Sequence, residues 1–458
     1  MNKDIQHRVI FPSLLSKPLH IAFDEPLTSS DSGSILLKSV DESMRLTENL
    51  LAGVSDSRQS GKVQHSHLDL MRQRVFGIAC GYADANDVAR LGDDPLHKLL
   101  LARDPVTGAS LASQPTISRF ENGLRVADHY RLGKSLAETV IDWHRNRLRR
   151  QKVKRITIDL DPTDDATHGT QQKALFNGHY GHWCYLPLLG FLTFNNEPDQ
   201  YLFAAILRSG TAKASEGAIP LLRRTIARLR ATFPKARIRV RLDGGFAGPE
   251  ILEFLEEENV EYVVGMAGNK VLRRRVQRLM GTARRLSREK GQTVALFRDT
   301  LYAAQSWRKT KRRIICKAEV TCLEGRKPKN NPRFVATNLC YKPESVYKIY
   351  RMRGDSENRI KELKVDLEMD RTSCTSFWAN QLRVTLTAAA YVLFQALRSR
   401  LTKSSLAGKQ VGTLRLMLFK IAGRVERSVR RVVIHLAQNH PWRREWALAA
   451  RAWGAVET

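Results

Sequence analysis

Between residues 151 and 266 the apolar spacing switches from a helical to a strand period, and the order of elements it implies leaves few folds open. Val153–Asp161 alternates, with Ile156, Ile158 and Leu160 on one face. Strand-like runs follow at Trp183–Phe194 and Tyr201–Leu207. A helix over Gly217–Ala231, a strand over Ala236–Leu242, a helix over Pro249–Glu257 and a strand over Glu261–Met266 complete the stretch. A meander of three strands followed by alternating helix and strand predicts an α/β fold, a mixed sheet with helices on both faces.

The flanks read differently. Residues 1–65 are expected to be irregular, and 66–150 helical, with helices at Leu68–Cys80, Ala85–Leu91, Pro95–Leu101 and from Leu124 to Leu148. Within Gln114–Asn122, Thr116 or Ser118 is placed to cap a short helix, as in the turn of a helix-turn-helix or in a plain inter-helix loop. Residues 270–290 form a basic helical link. Strands are predicted at Thr293–Arg298, Leu301–Trp307, Arg313–Cys322 and Pro332–Asn338, a β-rich insertion over 270–344. Helices are predicted at Phe377–Arg400 and Gly412–Asn439, the second carrying Arg424, Arg427, Arg430 and Arg431. The predicted organisation is therefore 1–65 irregular, 66–150 helical, 151–269 and 345–370 forming one core, 270–344 inserted in it, and 371–458 basic and helical.

Charge narrows the partner. The chain carries 76 Lys+Arg against 46 Asp+Glu, a formal net charge of +30, which points to a polyanion. With 42% hydrophobic residues it also has enough apolar side chains for real cores. Cys80, Cys184, Cys316, Cys322, Cys340 and Cys374 form no C-x2-C pair, so neither a zinc site nor a disulfide framework is indicated. The first residues lack a signal-peptide layout, and the longest apolar stretches are too short to span a bilayer. The expectation is a soluble cytoplasmic protein with no membrane partner.

Acids at strand ends supply the chemistry. Asp159 and Asp161 project to one side of the first predicted strand, and Asp243 leaves the fourth just before Gly244 and Gly245. If those strands are neighbours, two carboxylates meet and must share a proton or bind a cation. Further on, Tyr350, Arg353, Glu357 and Lys364 fall within roughly a 60° arc at helical spacing. A phenol, a guanidinium, a carboxylate and an ammonium on one face suit a phosphodiester, although a solvated helix face has the same composition. Asp161, Asp243 and Glu357 together offer three oxygen ligands suited to Mg2+.

These residues resemble a known family. Asp159–Thr163, the run Asn177–Leu188, Arg241–Phe246, the Tyr350/Arg353/Glu357/Lys364 string, Ala379–Gln381 and Leu111–Thr116 are similar to the DD-E transposases of bacterial insertion sequences, the YREK-signature group with a Group-1 DDE domain. The resemblance implies an RNase H-like core whose catalytic, metal-binding acids are Asp161 (with Asp159 as the alternative), Asp243 and Glu357. It implies two Mg2+ ions, with Mn2+ as a substitute, and double-stranded DNA as partner, both terminal inverted repeats and target, bound by a homodimer. Cut-and-paste transposition by end cleavage and strand transfer follows. Tyr350, Arg353 and Lys364 would contact DNA phosphates, and Trp307 either stacks on an extruded base or fills a core between strands. Residues 66–150 would carry end recognition. Two rival readings fit the same residues. A catalytically inactive, transposase-derived repressor would show no divalent-ion-dependent cleavage, and an RNase H-like nuclease would yield no joined products.

Overall fold

Ile156, Ile158 and Leu160 are fully buried on the strand Arg155–Pro162 (β1), which runs through the middle of the main sheet of the computed structural model, whose described residues are 8–456. The other long strands are Leu188–Phe194 (β2), Tyr201–Ile206 (β3), Arg237–Leu242 (β4), Glu261–Met266 (β5), Val294–Tyr302 (β6), Arg312–Thr321 (β7) and Arg333–Thr337 (β8). Their order across the sheet is β6-β7-β8-β5-β4-β1-β2-β3. β4 runs parallel to both β1 and β5, and the other pairs along this path are antiparallel. Leu160 of β1 lies opposite Leu242 of β4, so the residues that follow them, Asp161 (still paired with Leu189 of β2) and Asp243, stand side by side where the β1–β4 pairing ends.

The principal helices are His67–Cys80 (α1), Gln114–Gly123 (α2), Val126–Arg147 (α3), Ala218–Thr232 (α4), Pro249–Glu257 (α5), Lys270–Lys290 (α6), Pro343–Arg351 (α7), Asp355–Lys361 (α8) and Phe377–Ser399 (α9). Strand alternation covers both faces. Val263, Ile315 and Val335 pack on Val346 and Tyr347 of α7. Their neighbours Val264, Ile314, Cys316, Phe334 and Ala336 join Leu272, Val276 and Met280 of α6 in the larger cluster on the other side.

At the β3 edge, α9 supplies what a further strand would. Gln395 Oε1 accepts from the Leu202 amide at 2.9 Å and its Nε2 donates to the Gln200 carbonyl at 2.7 Å. Gln381 does the same for the Leu207 amide and the Ala205 carbonyl, at 2.7 and 3.2 Å. Buried side-chain amides thus satisfy an edge whose backbone would otherwise be orphaned.

Several expectations are corrected. Residues 35–51 are helical, Ile35–Met44 and Leu46–Leu51, because Leu36, Leu37, Val40, Met44, Leu46 and Leu50 make a buried stripe at helical spacing. Trp183–Phe194 is two strands rather than one. Pro187, which has no amide hydrogen, ends His182–Tyr185, and that piece joins a small sheet with Asp165–Ala166 and Leu175–Asn177. In place of Thr293–Arg298 and Leu301–Trp307 there is one strand, β6, ending at Tyr302, whose polar middle is held by Arg313 on Asp299 at 2.8 Å, and Gln305–Trp307 is a 3-10 turn. The strands of the insertion do not stand apart but extend the main sheet beyond β5. Gly412–Asn439 is no helix: after a short helical turn the β-branched run Val432–Ile434 pairs in a hairpin, Gly423–Arg427 with Val432–Leu436, and Arg427 meets Asp104 at 2.7 Å. Residues 66–150 are packed into the body. Buried Glu121 on α2 takes Arg74 of α1 at 2.8 Å and Arg383 of α9 at 2.9 Å. One apolar cluster runs from Leu36 to Trp453.

Gln395→Leu keeps the volume and orphans the Leu202 amide and the Gln200 carbonyl, so it is expected to lower stability by about 1–3 kcal/mol. The urea midpoint at unchanged slope measures this; a midpoint equal to that of the parent would contradict the role given to the edge glutamines.

Candidate active site

Where β1 and β4 end, the chain has little freedom. Asp159, one pair before the end of β1, is fully buried and takes the Arg241 guanidinium through both oxygens, at 2.8 and 2.7 Å, with Gln200 Nε2 adding a third bond at 3.1 Å. Arg241 also donates to the Ile349 carbonyl at 3.2 Å, which fixes the last turn of α7 over the sheet. Asp159 therefore has its acceptors committed. Asp161 is the acid of the pair that stands beside Asp243.

Asp161 is buried at the mouth of the sheet. Its Oδ2 accepts from Arg353 Nη1 at 2.8 Å and from Ser356 Oγ at 2.7 Å. Burial pushes its carboxyl up to about 6; Arg353 and Ser356 pull the other way, and the charges of Asp243 and Asp159 push it further up. Asp243 is half-buried and caps the turn Gly244–Phe246, its Oδ1 accepting the Gly245 amide at 2.8 Å. Each of the two acids keeps one oxygen outside these bonds.

The Tyr350–Lys364 segment is not one uniform helix. α7 ends at Arg351, a 3-10 turn spans Met352–Gly354, α8 follows, and a π-helical turn covers Glu362–Asp366. The expected 60° arc does not hold across such changes of period, for which Gly354, a poor helix former, offers a break point. Three side chains of the string nevertheless have contacts near the strand ends. The Tyr350 hydroxyl lies over Gly265 of β5 and near the Gly244 amide, in space that a Cβ on residue 265 would need. Arg353 holds Asp161. Lys364 Nζ donates to the side chain and carbonyl of Asp164, at 2.9 and 3.0 Å. Glu357 follows Ser356 directly, is exposed, and has no hydrogen bond or ion pair among the described residues. Glu362 is bound inward by Arg398 at 2.7 Å and Tyr391 at 2.6 Å, so it is part of the core.

Trp307 is elsewhere. It is 6% exposed, packed edge-on to Tyr302 and under the Arg312 guanidinium, so it is a core aromatic and not a base-stacking surface. Sequence reasoning also missed three residues of the site. Ser356 and Asp164 touch its acid and its lysine, and Tyr180 sits close enough for Asp164, Asp161 and Asp243 to help raise its phenol pKa, burial being the largest cause. The doubled acid Asp164-Asp165 directly after Thr163 was the available signal.

The donor set fits a hard divalent cation: carboxylate oxygens only, with two like charges crowded at one point. The three acids do not close on each other within 4.8 Å; among the described residues, the cluster of metal-ligating types that does is Asp31, Cys80 and His97. There Lys420 already meets Asp31 at 2.7 Å, and burial pushes the Cys80 thiol up to about 12, which leaves that cluster a buried ion-pair knot.

The family model described as transposase DDE domain, group 1, matches residues 11–453, nearly the whole chain. No curated protein matches it.

Asp165 gives the region a pH signature. It is fully buried with Thr372 Oγ1 at 3.0 and 3.1 Å from its two oxygens, and burial pushes its carboxyl up to about 7. A folded pKa above the unfolded value of about 4 means the folded state binds more protons between the two, so this group's stabilisation is lost as pH rises through 7. Asp165→Asn is expected to raise the melting temperature at pH 8 and leave it nearly unchanged at pH 5. Equal melting shifts at both pH values would contradict a buried, proton-holding Asp165.

Proposed function

We propose that this chain, which belongs to the transposase DDE domain group 1 family, cuts DNA at the ends of an insertion sequence and joins them to target DNA, with Asp161, Asp243 and Glu357 as its catalytic acids. The observation that carries the reading is the meeting of Asp161 and Asp243 at the carboxyl ends of adjacent parallel strands, with the Tyr350–Lys364 segment packed across them. The strand order β3-β2-β1-β4-β5, with only β1, β4 and β5 parallel, supports an RNase H-like core into which the 270–344 segment adds three long strands. The intact Tyr350, Arg353, Glu357 and Lys364 string supports the YREK subgroup.

Asp161, Asp243 and Glu357 would hold divalent cations, Mg2+ by preference. When bound, such ions supply the Lewis acid that activates a water and stabilises the leaving oxygen. The protein's own residues do the remainder. Arg353 neutralises Asp161 in the absence of DNA, and with the acids occupied its guanidinium is released to meet a phosphate. Lys364, held by Asp164, adds positive charge beside the strand, and Tyr350, braced over Gly265, donates a hydrogen bond to a phosphate oxygen. Hydrolysis would free a 3′-hydroxyl, which then attacks target DNA at the same acids, in a cut-and-paste reaction carried out by a dimer that holds two ends.

α6 offers the duplex a track. Arg274, Arg278, Arg285 and Arg288 are exposed within roughly an 80° arc over about 21 Å of helix, and among the described residues only Arg285 of the four has an acidic partner, Glu289 at 3.7 Å. The helix buries its other side, at Leu272, Val276, Met280 and Ala283.

Glu357→Gln is expected to abolish cleavage and strand transfer of end DNA while affinity for that DNA holds or rises, because a ligand and a negative charge are removed together. A Glu357→Gln protein that still cuts near the parental rate contradicts the assignment. Alanine at Arg274, Arg278 and Arg288 together should reduce the slope of log affinity against log salt by about one per arginine removed; an unchanged slope removes α6 from the DNA path.

A further inference from the structure

Two apolar surfaces of this chain have no partner within it. The first is the N-terminal hairpin, Arg8–Phe11 paired antiparallel with Leu19–Ala22. Its register sets Val9 against Ile21 and Phe11 against Leu19, so strand alternation brings these four side chains to one face. That face is open to water: Val9, Phe11 and Ile21 are 46%, 42% and 41% exposed, and Phe23, just past the second strand, is 84% exposed. Outside its own ladder, Val9–Phe23 has no hydrogen bond, ion pair or ring contact among the described residues, and it joins neither apolar cluster. A hairpin of two strands barely holds together alone in water, and an apolar face left bare on one marks a contact surface.

The second surface is a groove of about 590 Å³ between α3, α4 and the β3 edge, lined by Val126, Tyr130, Ala137, Ile141, Ile206 and Leu221 among others. It is open because its walls carry small residues, Gly133 and Ala137 one turn apart on α3, and Ala204 and Ala205 on β3. No residue of the N-terminal hairpin lines it. Two exposed cations also line the groove. Arg224 lies over the Tyr130 ring at 5.0 Å and has no carboxylate partner among the described residues, and Lys134 has only Glu138, at 3.8 Å.

We propose that the hairpin is an exchange arm: the Val9, Phe11, Leu19 and Ile21 face, with Phe23, covers the α3–α4 groove of a second copy of this chain, which returns its own arm in the same way. The proposal does not depend on the DNA-cleaving reading. Charge selects this occupant. Asp24 and Glu25 directly follow Phe23 and have no ion pair in their own chain, so a seated Phe23 delivers two carboxylates to the cations, Arg224 and Lys134, that line the groove. A phosphate backbone, by contrast, has nothing to offer an apolar groove. The arm also has a joint. The chain rejoins the body at Thr28–Ser29, which pairs with Gly423 and Arg424, and Asp24–Leu27 is the link between them. Exchange of one identical element between two copies closes with two-fold symmetry and leaves neither apolar surface bare.

The test uses the full chain without DNA. Sedimentation velocity over a concentration series is expected to show a reversible dimer for the parent. Phe11→Ser strikes the arm and Gly133→Trp fills the groove, and a side chain at residue 133 starts in open space, so neither change disturbs the fold. Each should weaken the dimer at least about tenfold with an unchanged circular dichroism spectrum. Photoreactive benzoylphenylalanine in place of Phe11, in a light copy mixed with a heavy-isotope copy, should cross-link to heavy peptides from 126–141 or 218–228. A parent that stays monomeric overturns the proposal. Variants that dimerise as the parent does also overturn it, since the interface then lies elsewhere. Cross-links confined to light peptides in the mixture overturn it as well, since the arm then seats on its own chain.

Discussion

The buried pair between Asp159 and Arg241 is the contact on which the site depends. It joins β1 to β4 at the level just below the acids, and through the Ile349 carbonyl it reaches the helix that arrives from the far end of the sheet. A charge at this depth is tolerable only because its partner is bidentate and the remaining groups are hydrogen-bonded; removing either side would leave the other uncompensated, at a cost of about 3–5 kcal/mol. One pair further along, the same pattern repeats with Asp161 and Arg353, but at the mouth of the sheet. The inner pair is closed and structural, and the outer pair is open to exchange of partner. That difference in depth separates two aspartates that the sequence presents as near equivalents.

The site is built against stability. Asp161 and Asp243 repel, Asp161 and Asp165 are both pushed up by burial, and Arg353 offsets only part of this. Perturbed, crowded carboxylates of this kind are found more often at functional sites than elsewhere. The rigid elements around it carry the cost: the continuous apolar cluster, the glutamines that satisfy the β3 edge, and the buried Arg74–Glu121–Arg383 triad that binds the N-terminal helices to α9.

Much of this was legible in the sequence, for identifiable reasons. Strict alternation in Ile156–Leu160 and in β4, with an acid at each end, was enough to place Asp161 beside Asp243, because parallel neighbours in register bring equivalent positions together. The helical string brought Arg353 to the same point. Less visible were features that depend on partners distant in sequence. Trp307 read either as a base-stacking ring or as a core aromatic, and its packing on Tyr302 and Arg312 decides for the core. The strands of 293–340 read as a β-rich insertion, and the pairing of Val263–Met266 with Phe334–Thr337, distant in sequence, joins them to the main sheet. Arginines at Arg424–Arg431 suggested a helix because their spacing was weighed above the β-branched run that follows. The strand His182–Tyr185 was merged with β2 in the expected strand Trp183–Phe194, since one proline, Pro187, turns the chain into a different sheet.

The most direct test is divalent-ion binding by the intact protein, read from Mn2+ paramagnetic resonance with the parent and with Asp161→Asn, Asp243→Asn and Asp164→Asn, each first checked for a native melting profile. Loss of bound Mn2+ in the first two, with retention in Asp164→Asn, is the expected result, because only Asp161 and Asp243 share the point where the parallel strands end. Mn2+ bound to Asp243→Asn as tightly as to the parent would contradict a metal site at that point and, with it, the catalytic role given to the paired acids.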